Sequence, residues 1–186
     1  MSILWIVLIL VALQRLAELV YARHNTRRLL AEGATESGAG HYPLLVGLHV
    51  LWLLSLAVFV PADRAPLWPL LGVFVVLQGL RVWVLASLGR YWTTRIITLP
   101  GAPLVRRGPY RWLRHPNYLV VAGEIAVLPL AFGAWQIAAV FTLANALVLW
   151  IRIRAEEQAL APRPRDDGQA GSTTSPTIPA PREAMK

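Results

Sequence analysis

The stretch from Gly89 to Asn117, GRYWTTRIITLPGAPLVRRGPYRWLRHPN, is dense in side chains that could do chemistry. Pro116 disfavours a helical conformation at the residue before it, which places His115 just ahead of a helix that begins at or just after Pro116. Free backbone N–H groups and positive potential gather at such a helix start, and Arg114 adds a full charge, so a ligand carboxylate would be favoured there. The same Arg, Trp and Tyr residues would also serve as plain anchors at a membrane interface. Further along, Asn145, Leu149, Arg152 and Glu156 recur at helical spacing on one face, and Glu157 follows. Two adjacent carboxylates at a helix C-terminus oppose the macrodipole, which points to a ligand for at least one of them. The bland alternative is a solvated helix end with a weak Arg152–Glu156 pair. Glu156 and Glu157 project about 100° apart, so they cannot face one spot equally.

The elements that must position these groups are apolar. The chain has 186 residues, is 56% hydrophobic and only 15% charged, and has eight tryptophans and no cysteine. This excludes a disulfide scaffold, a Cys-ligated metal and a nucleophilic cysteine, and no metal site is expected. The net charge of +8 does not point to nucleic acid, because the arginines sit between long apolar blocks. Ile3–Tyr21, Leu44–Val60, Leu67–Leu88, Tyr118–Phe132 and Trp135–Ile151 each approach the roughly 20 residues needed to cross a bilayer. The fourth is the weakest, being short and containing Glu124 and Pro129. Gly133 and Ala134 join it to the fifth as a tight hairpin, and the fifth helix is expected to run on to about Leu160. The first stretch does not read as a signal peptide, since it lacks a basic start and a small-residue end. The fold class is therefore an all-α polytopic membrane bundle of about five helices, with a polar loop forming the site.

Charged residues inside a span need partners. In the first helix Gln14, Glu18, Tyr21 and Asn25 are spaced to share a face, and Arg15 can pair with Glu18. Gln78 and Arg81 lie about one turn apart in the third helix, while His49 and Glu124 read as lone polar groups. These residues suggest either structural pairing or an embedded polar cavity. Outside the spans, Arg23, Arg27, Arg28, Arg90, Arg95, Arg106, Arg107, Arg111, Arg114, Arg152 and Arg154 fall on one side. Only Arg64 falls on the other. The positive-inside rule then predicts an outside amino terminus and a cytoplasmic carboxyl terminus, which five spans satisfy. Residues 1–160 form the membrane domain in this reading, and the Pro-, Gly- and Ser/Thr-rich 161–186 a disordered cytoplasmic tail.

Taken together, Gly108-Pro109-Tyr110, then Arg114-His115-Pro116-Asn117-Tyr118, an apolar hairpin, and Arg152 with Glu156-Glu157 resemble the isoprenylcysteine carboxyl methyltransferase family of membrane enzymes. The likeness covers about Leu88 to Leu160. RLAELVYARHN and GHYPLLVGLH, nearer the amino terminus, resemble the shorter bacterial members, which implies a multi-pass protein of the bacterial inner membrane. The resemblance implies S-adenosylmethionine as cofactor, held at the cytoplasmic face between the loop and the last helix. By that match Gly108, Tyr110, His115, Pro116, Tyr118, Glu156 and Glu157 would bind the cofactor, and lipid substrates would enter between helices. The sequence departs from eukaryotic members after the Glu pair, where Ala161-Pro162-Arg163-Pro164 replaces a Tyr-rich basic segment, so groups for a prenylcysteine carboxylate cannot be carried over.

Methyl transfer from a sulfonium needs alignment and exclusion of water more than acid–base help. A carboxylate acceptor requires no base, whereas a phenol with a pKa of about 10 needs its proton removed or its anion stabilised. His115 is the candidate base, and Arg114 or Arg152 the candidate anion clamp. The expected activity is O-methylation of a lipophilic acceptor, either a phenolic lipid or a prenylcysteine-like carboxylate. A phospholipid amine N-methyltransferase and a non-enzymatic scaffold binding anionic membrane lipids are the alternatives.

Overall fold

The computed structural model describes residues 2–37, 40, 42–102 and 105–160, the side chains of 158–160 excepted. The region read as a tail, 161–186, lies outside the described residues. Five helices form in order: α1 Ile3–Ala31, α2 Tyr42–Phe59, α3 Trp68–Leu88, α4 Pro116–Ala131 and α5 Trp135–Leu160. Four of them are long and apolar enough to cross a membrane, and α4 is the short exception. With 16 residues it extends about 24 Å, short of a hydrocarbon core of about 30 Å. Its burial explains how such a helix holds its place. Val120, Val121, Glu124, Ile125, Leu128, Pro129 and Ala131 are all buried between neighbours, chiefly α3 and α5. Gly123 allows the closest approach, because a Cβ there would stand 3.1 Å from both Leu77 methyls.

Apolar side chains cover the outside of the bundle. Val58, Phe59 and Leu143 are each more than 70% exposed, which suits lipid as the surrounding solvent. The inner packing of Leu4, Leu8, Trp52, Leu56, Phe74, Ile125, Leu128 and Phe132 lies toward the end carrying the α4–α5 hairpin. That hairpin turns at Gly133 with φ of 72°. A second, smaller cluster of Ala22, Val84, Trp92 and Val120 lies toward the arginine-rich end.

Two features differ from the sequence reading. First, α1 runs ten residues past the apolar stretch ending at Tyr21, and beyond Asn25, to Ala31, so Arg23, Arg27 and Arg28 project from a helix. Asn25 explains the extension: its Nδ2 donates to the carbonyls of Gly89 at 3.2 Å and Trp92 at 2.9 Å, tying α1 to the start of the α3–α4 connection. Second, that connection is not all loop. Ile96–Thr98 (β2) pairs antiparallel with Thr35–Ser37 (β1), with Thr35 opposite Thr98 and Ser37 opposite Ile96. Arg95 pairs with Glu36 at 2.9 Å, and Arg90 with Glu32, so the ribbon is laced by ion pairs. A strand of three residues is too short to leave a period-two signal.

Glu124 is not a lone polar group. Arg81 donates through Nε and Nη2 to Glu18 at 2.6 and 2.5 Å, and through Nη1 to Glu124 at 3.1 Å. Arg15 reaches Glu18 at 3.1 Å and Glu124 at 2.8 Å, while Gln78 and Gln14 donate to Glu124 and Glu18. Two arginines against two glutamates make the group neutral, which is the condition for burying it at all. Tyr21, expected on the same face, is instead 41% exposed. His49 hydrogen-bonds the Leu45 carbonyl one turn back at 2.8 Å.

Candidate active site

The site is assembled where the α3–α4 connection meets the ends of α4 and α5. His115 is the N-cap of α4, and Pro116 is buried as its first residue, as the sequence predicts. No side chain caps this helix start; Pro116 has no N–H and the Tyr118 N–H donates to the His115 carbonyl at 3.1 Å, which leaves the Asn117 N–H for a ligand. On α5, Asn145, Leu149 and Arg152 are buried on the face that Glu156 continues, while Glu157 is exposed. The 100° step between neighbours separates the two carboxylates as expected.

Tyr118, His115, Arg152 and Glu156 come together. Arg152 donates from Nε to the Tyr118 hydroxyl at 2.8 Å, and that hydroxyl donates to Glu156 Oε2 at 2.5 Å. The His115 ring stacks on Tyr118 with centroids 5.1 Å apart and planes 12° from parallel. Its Nδ1 lies 3.7 Å from the same Glu156 oxygen. Arg152 also rests over the Tyr118 ring, 5.9 Å from its centroid. The cluster holds both signs of charge around one aromatic pair.

Tyr110 packs against the small cluster of Ala22, Val84, Trp92 and Val120. Burial, and then the Glu156 charge, push its phenol above the usual range, so it remains a neutral hydroxyl rather than a base. Gly108 and Pro109 begin a single 3-10 turn that delivers Tyr110. The turn needs glycine. Gly108 has φ of 57°, and a Cβ there would fall 2.0 Å from Ser87 Oγ. Arg107 fixes the same junction by donating from Nε to the Ser87 carbonyl at 2.7 Å. Ser87 thus positions the loop, a role invisible at the level of sequence, because nothing in the local pattern shows what a distant turn rests upon.

Arg114 and Glu157 are not brought into the cluster. Both are exposed and hydrogen-bond to none of its members. Arg152 is therefore the only one of the two clamp candidates in contact with the others. Two open apolar grooves, about 420 and 470 Å³, lie along α5 toward the hairpin end. Neither is lined by any residue of the His115 cluster, so the chemistry rather than the concavity locates the site.

The donors suit the amino-acid portion of S-adenosylmethionine. Glu156 can accept from an ammonium or a ribose hydroxyl, and Arg152 with the uncapped start of α4 can receive a carboxylate. Asn117, beside Tyr118 on α4, buries an Oδ1 without a hydrogen-bond partner, an acceptor that a bound polar group would satisfy.

Comparison with known proteins agrees with the motif reading. Over 160 residues the chain is 41% identical to the uncharacterized protein YpbQ of Bacillus subtilis, covering 84% of this chain and 95% of that one. It is 28% identical over 146 residues to an uncharacterized protein of Haemophilus influenzae, covering 75% and 83% of the two. No solved structure matches the chain. Residues 70–162, which include every residue of the cluster, match the isoprenylcysteine carboxyl methyltransferase (ICMT) family, and the chain belongs to that family of membrane methyltransferases.

Proposed function

We propose that this protein is an integral membrane S-adenosylmethionine-dependent methyltransferase that O-methylates a lipophilic acceptor, with the site on the cytoplasmic side. The observation that carries the reading is the Arg152–Tyr118–Glu156 chain with His115 stacked on it, at the end of an apolar helix long enough to span a membrane and inside the family match. When bound, the cofactor would supply a sulfonium methyl for one-step transfer to an oxygen nucleophile, with the neutral thioether as leaving group.

The protein's own residues bind and orient. Arg152 and the start of α4 hold a carboxylate, Glu156 accepts from cationic or hydroxyl groups, and Tyr118 keeps the two helices in register. His115 would take the proton of a phenol through the ring nitrogen not facing Glu156. A phenolic lipid is the favoured acceptor, and a prenylcysteine-like carboxylate, which needs no base, is the second.

Saturable binding of S-adenosylmethionine to the purified full chain in phosphatidylcholine nanodiscs tests the cofactor. Incubation of lipid extracts with methyl-labelled cofactor then separates phenol, carboxylate and amine products. An absence of cofactor binding in folded protein would remove the enzymatic reading.

A further inference from the structure

Charge at the site end is unevenly neutralised. Arg90 and Arg95 pair with Glu32 and Glu36, and Arg107 and Arg152 donate within the fold. Arg106, Arg111 and Arg114 are exposed and make no ion pair among the described residues. Arg23 and Arg27 on α1 and Arg154 on α5 are exposed too, but the 106–114 segment gathers three such arginines around exposed apolar side chains. Trp112 is 71% exposed and Leu113 is 45% exposed. Trp112 meets the edge of Trp83 at 6.3 Å between centroids. Trp83 is itself 45% exposed on α3, a helix long and apolar enough to cross the bilayer.

That contact fixes the depth of the segment. Trp83 lies five residues before the end of α3, so its indole belongs at the boundary of hydrocarbon and headgroups, and Trp112 is held beside it. Arg111 lies over the Trp112 ring, 5.7 Å from the centroid. A row of arginines around an exposed Trp-Leu pair at this level matches an anionic membrane surface in both charge and polarity.

We infer that residues 106–114 form a binding surface for anionic phospholipid headgroups of the leaflet on the arginine-rich side, with Trp112 and Leu113 seated in the interface. Phosphate and glycerol oxygens take the places that acidic side chains fill beside Arg90 and Arg95. The surface adjoins His115, yet the inference stands whether or not the neighbouring cluster binds a cofactor.

The test uses the full chain in phosphatidylcholine nanodiscs containing small amounts of brominated phosphatidylglycerol or brominated phosphatidylcholine. Trp112 quenching is obtained by difference from W112F. Brominated phosphatidylglycerol should quench Trp112 at lower mole fraction, with a preference of roughly fivefold for each arginine engaged. The preference should shrink as salt is raised. Arg106→Gln/Arg111→Gln/Arg114→Gln should abolish it, while Arg95→Gln, which neutralises an already paired arginine, should leave it intact. Equal quenching by the two lipids, or a preference indifferent to salt, overturns the inference. So does a preference retained in the triple variant, or displacement by polyglutamate in preference to phosphatidylglycerol, which would make the surface a site for acidic protein. The salt titration of the unaltered chain decides the matter even if the triple variant fails to fold.

Discussion

Arg152 and Glu156 stand one turn apart on α5, and they are joined through the Tyr118 hydroxyl rather than to each other. A pair at this spacing on a solvated helix would meet directly for a few tenths of a kcal/mol. Inserting a phenol from α4 converts a local helix contact into a clamp between two helices. Both hydrogen bonds have a charged partner, which makes them stronger than neutral ones. Tyr118→Phe keeps the ring stacked on His115 but deletes both bonds. It should weaken cofactor affinity by about five- to 150-fold, the equivalent of about 1–3 kcal/mol, and lower the thermal midpoint. Titration calorimetry alongside a melting curve checks both effects; unaltered affinity would mean the clamp lies outside the ligand's reach.

The four-charge group between α1, α3 and α4 makes a sharper stability prediction. Arg81 is 5% exposed and Glu124 is 1% exposed, and removing either alone leaves a net charge among apolar helices. Arg81→Gln should cost about 3–5 kcal/mol. Arg81→Gln with Glu124→Gln restores neutrality and should cost less than the sum of the single changes by about 0.5–3 kcal/mol. Denaturation of the three variants in one detergent measures this. Strict additivity would show that the group does not act as a unit.

Gly108 can be tested through its neighbour. Gly108→Ala places a methyl against Ser87 Oγ and adds the strain of a positive φ, the latter about 1–2 kcal/mol. The turn should shift, and cofactor affinity should fall with it. Ser87→Ala in the same chain removes the nearest clash but not the backbone strain, so affinity should recover in part. No recovery would place the damage in the backbone alone.

The helices were legible from the sequence because long apolar runs leave little choice of solvent. His115 as the cap of α4 followed from Pro116, a purely local constraint. Arg15 beside Glu18 followed from helical spacing, but Arg81 and Glu124 could not be joined to them, since sequence spacing says nothing about which helices are neighbours. Asn25 was visible as a polar residue on the face of Glu18, and its partners, the Gly89 and Trp92 carbonyls, were not. Backbone acceptors carry no residue-type signature. The site was similarly half readable: its residue types stood in the motifs, while the separation of Arg114 from Arg152 and of Glu157 from Glu156 needed the fold.

Orientation is testable directly. The arginines at the site end against Arg64 at the other predict that residues just after Arg106 lie in the cytoplasm and those just after Arg64 outside. Reporter fusions at the two places should label opposite compartments. Both reporters in one compartment would refute the five-span arrangement, with or without its orientation.

The glutamate pair separates a ligand site from a solvated helix end. Glu156 accepts from Tyr118 and faces His115, whereas Glu157 is exposed on a different side of α5. Glu156→Gln keeps the shape of the side chain but removes the charge that strengthens the Tyr118 bond and any bond to a cationic ligand. Methyl transfer and cofactor affinity should both fall sharply in Glu156→Gln while the protein remains folded. Glu157→Gln should leave both nearly unchanged, and it can raise stability by about 0.3–1 kcal/mol by removing a negative charge from a helix C-terminus. Rates at saturating lipid, with affinities and melting curves for both variants, give the comparison. If Glu156→Gln lowered only the melting temperature, its carboxylate would be a helix clamp without a ligand. If Glu157→Gln gave the larger loss of transfer, the ligand would approach α5 from the exposed side, and the buried face from Asn145 to Glu156 would serve packing alone.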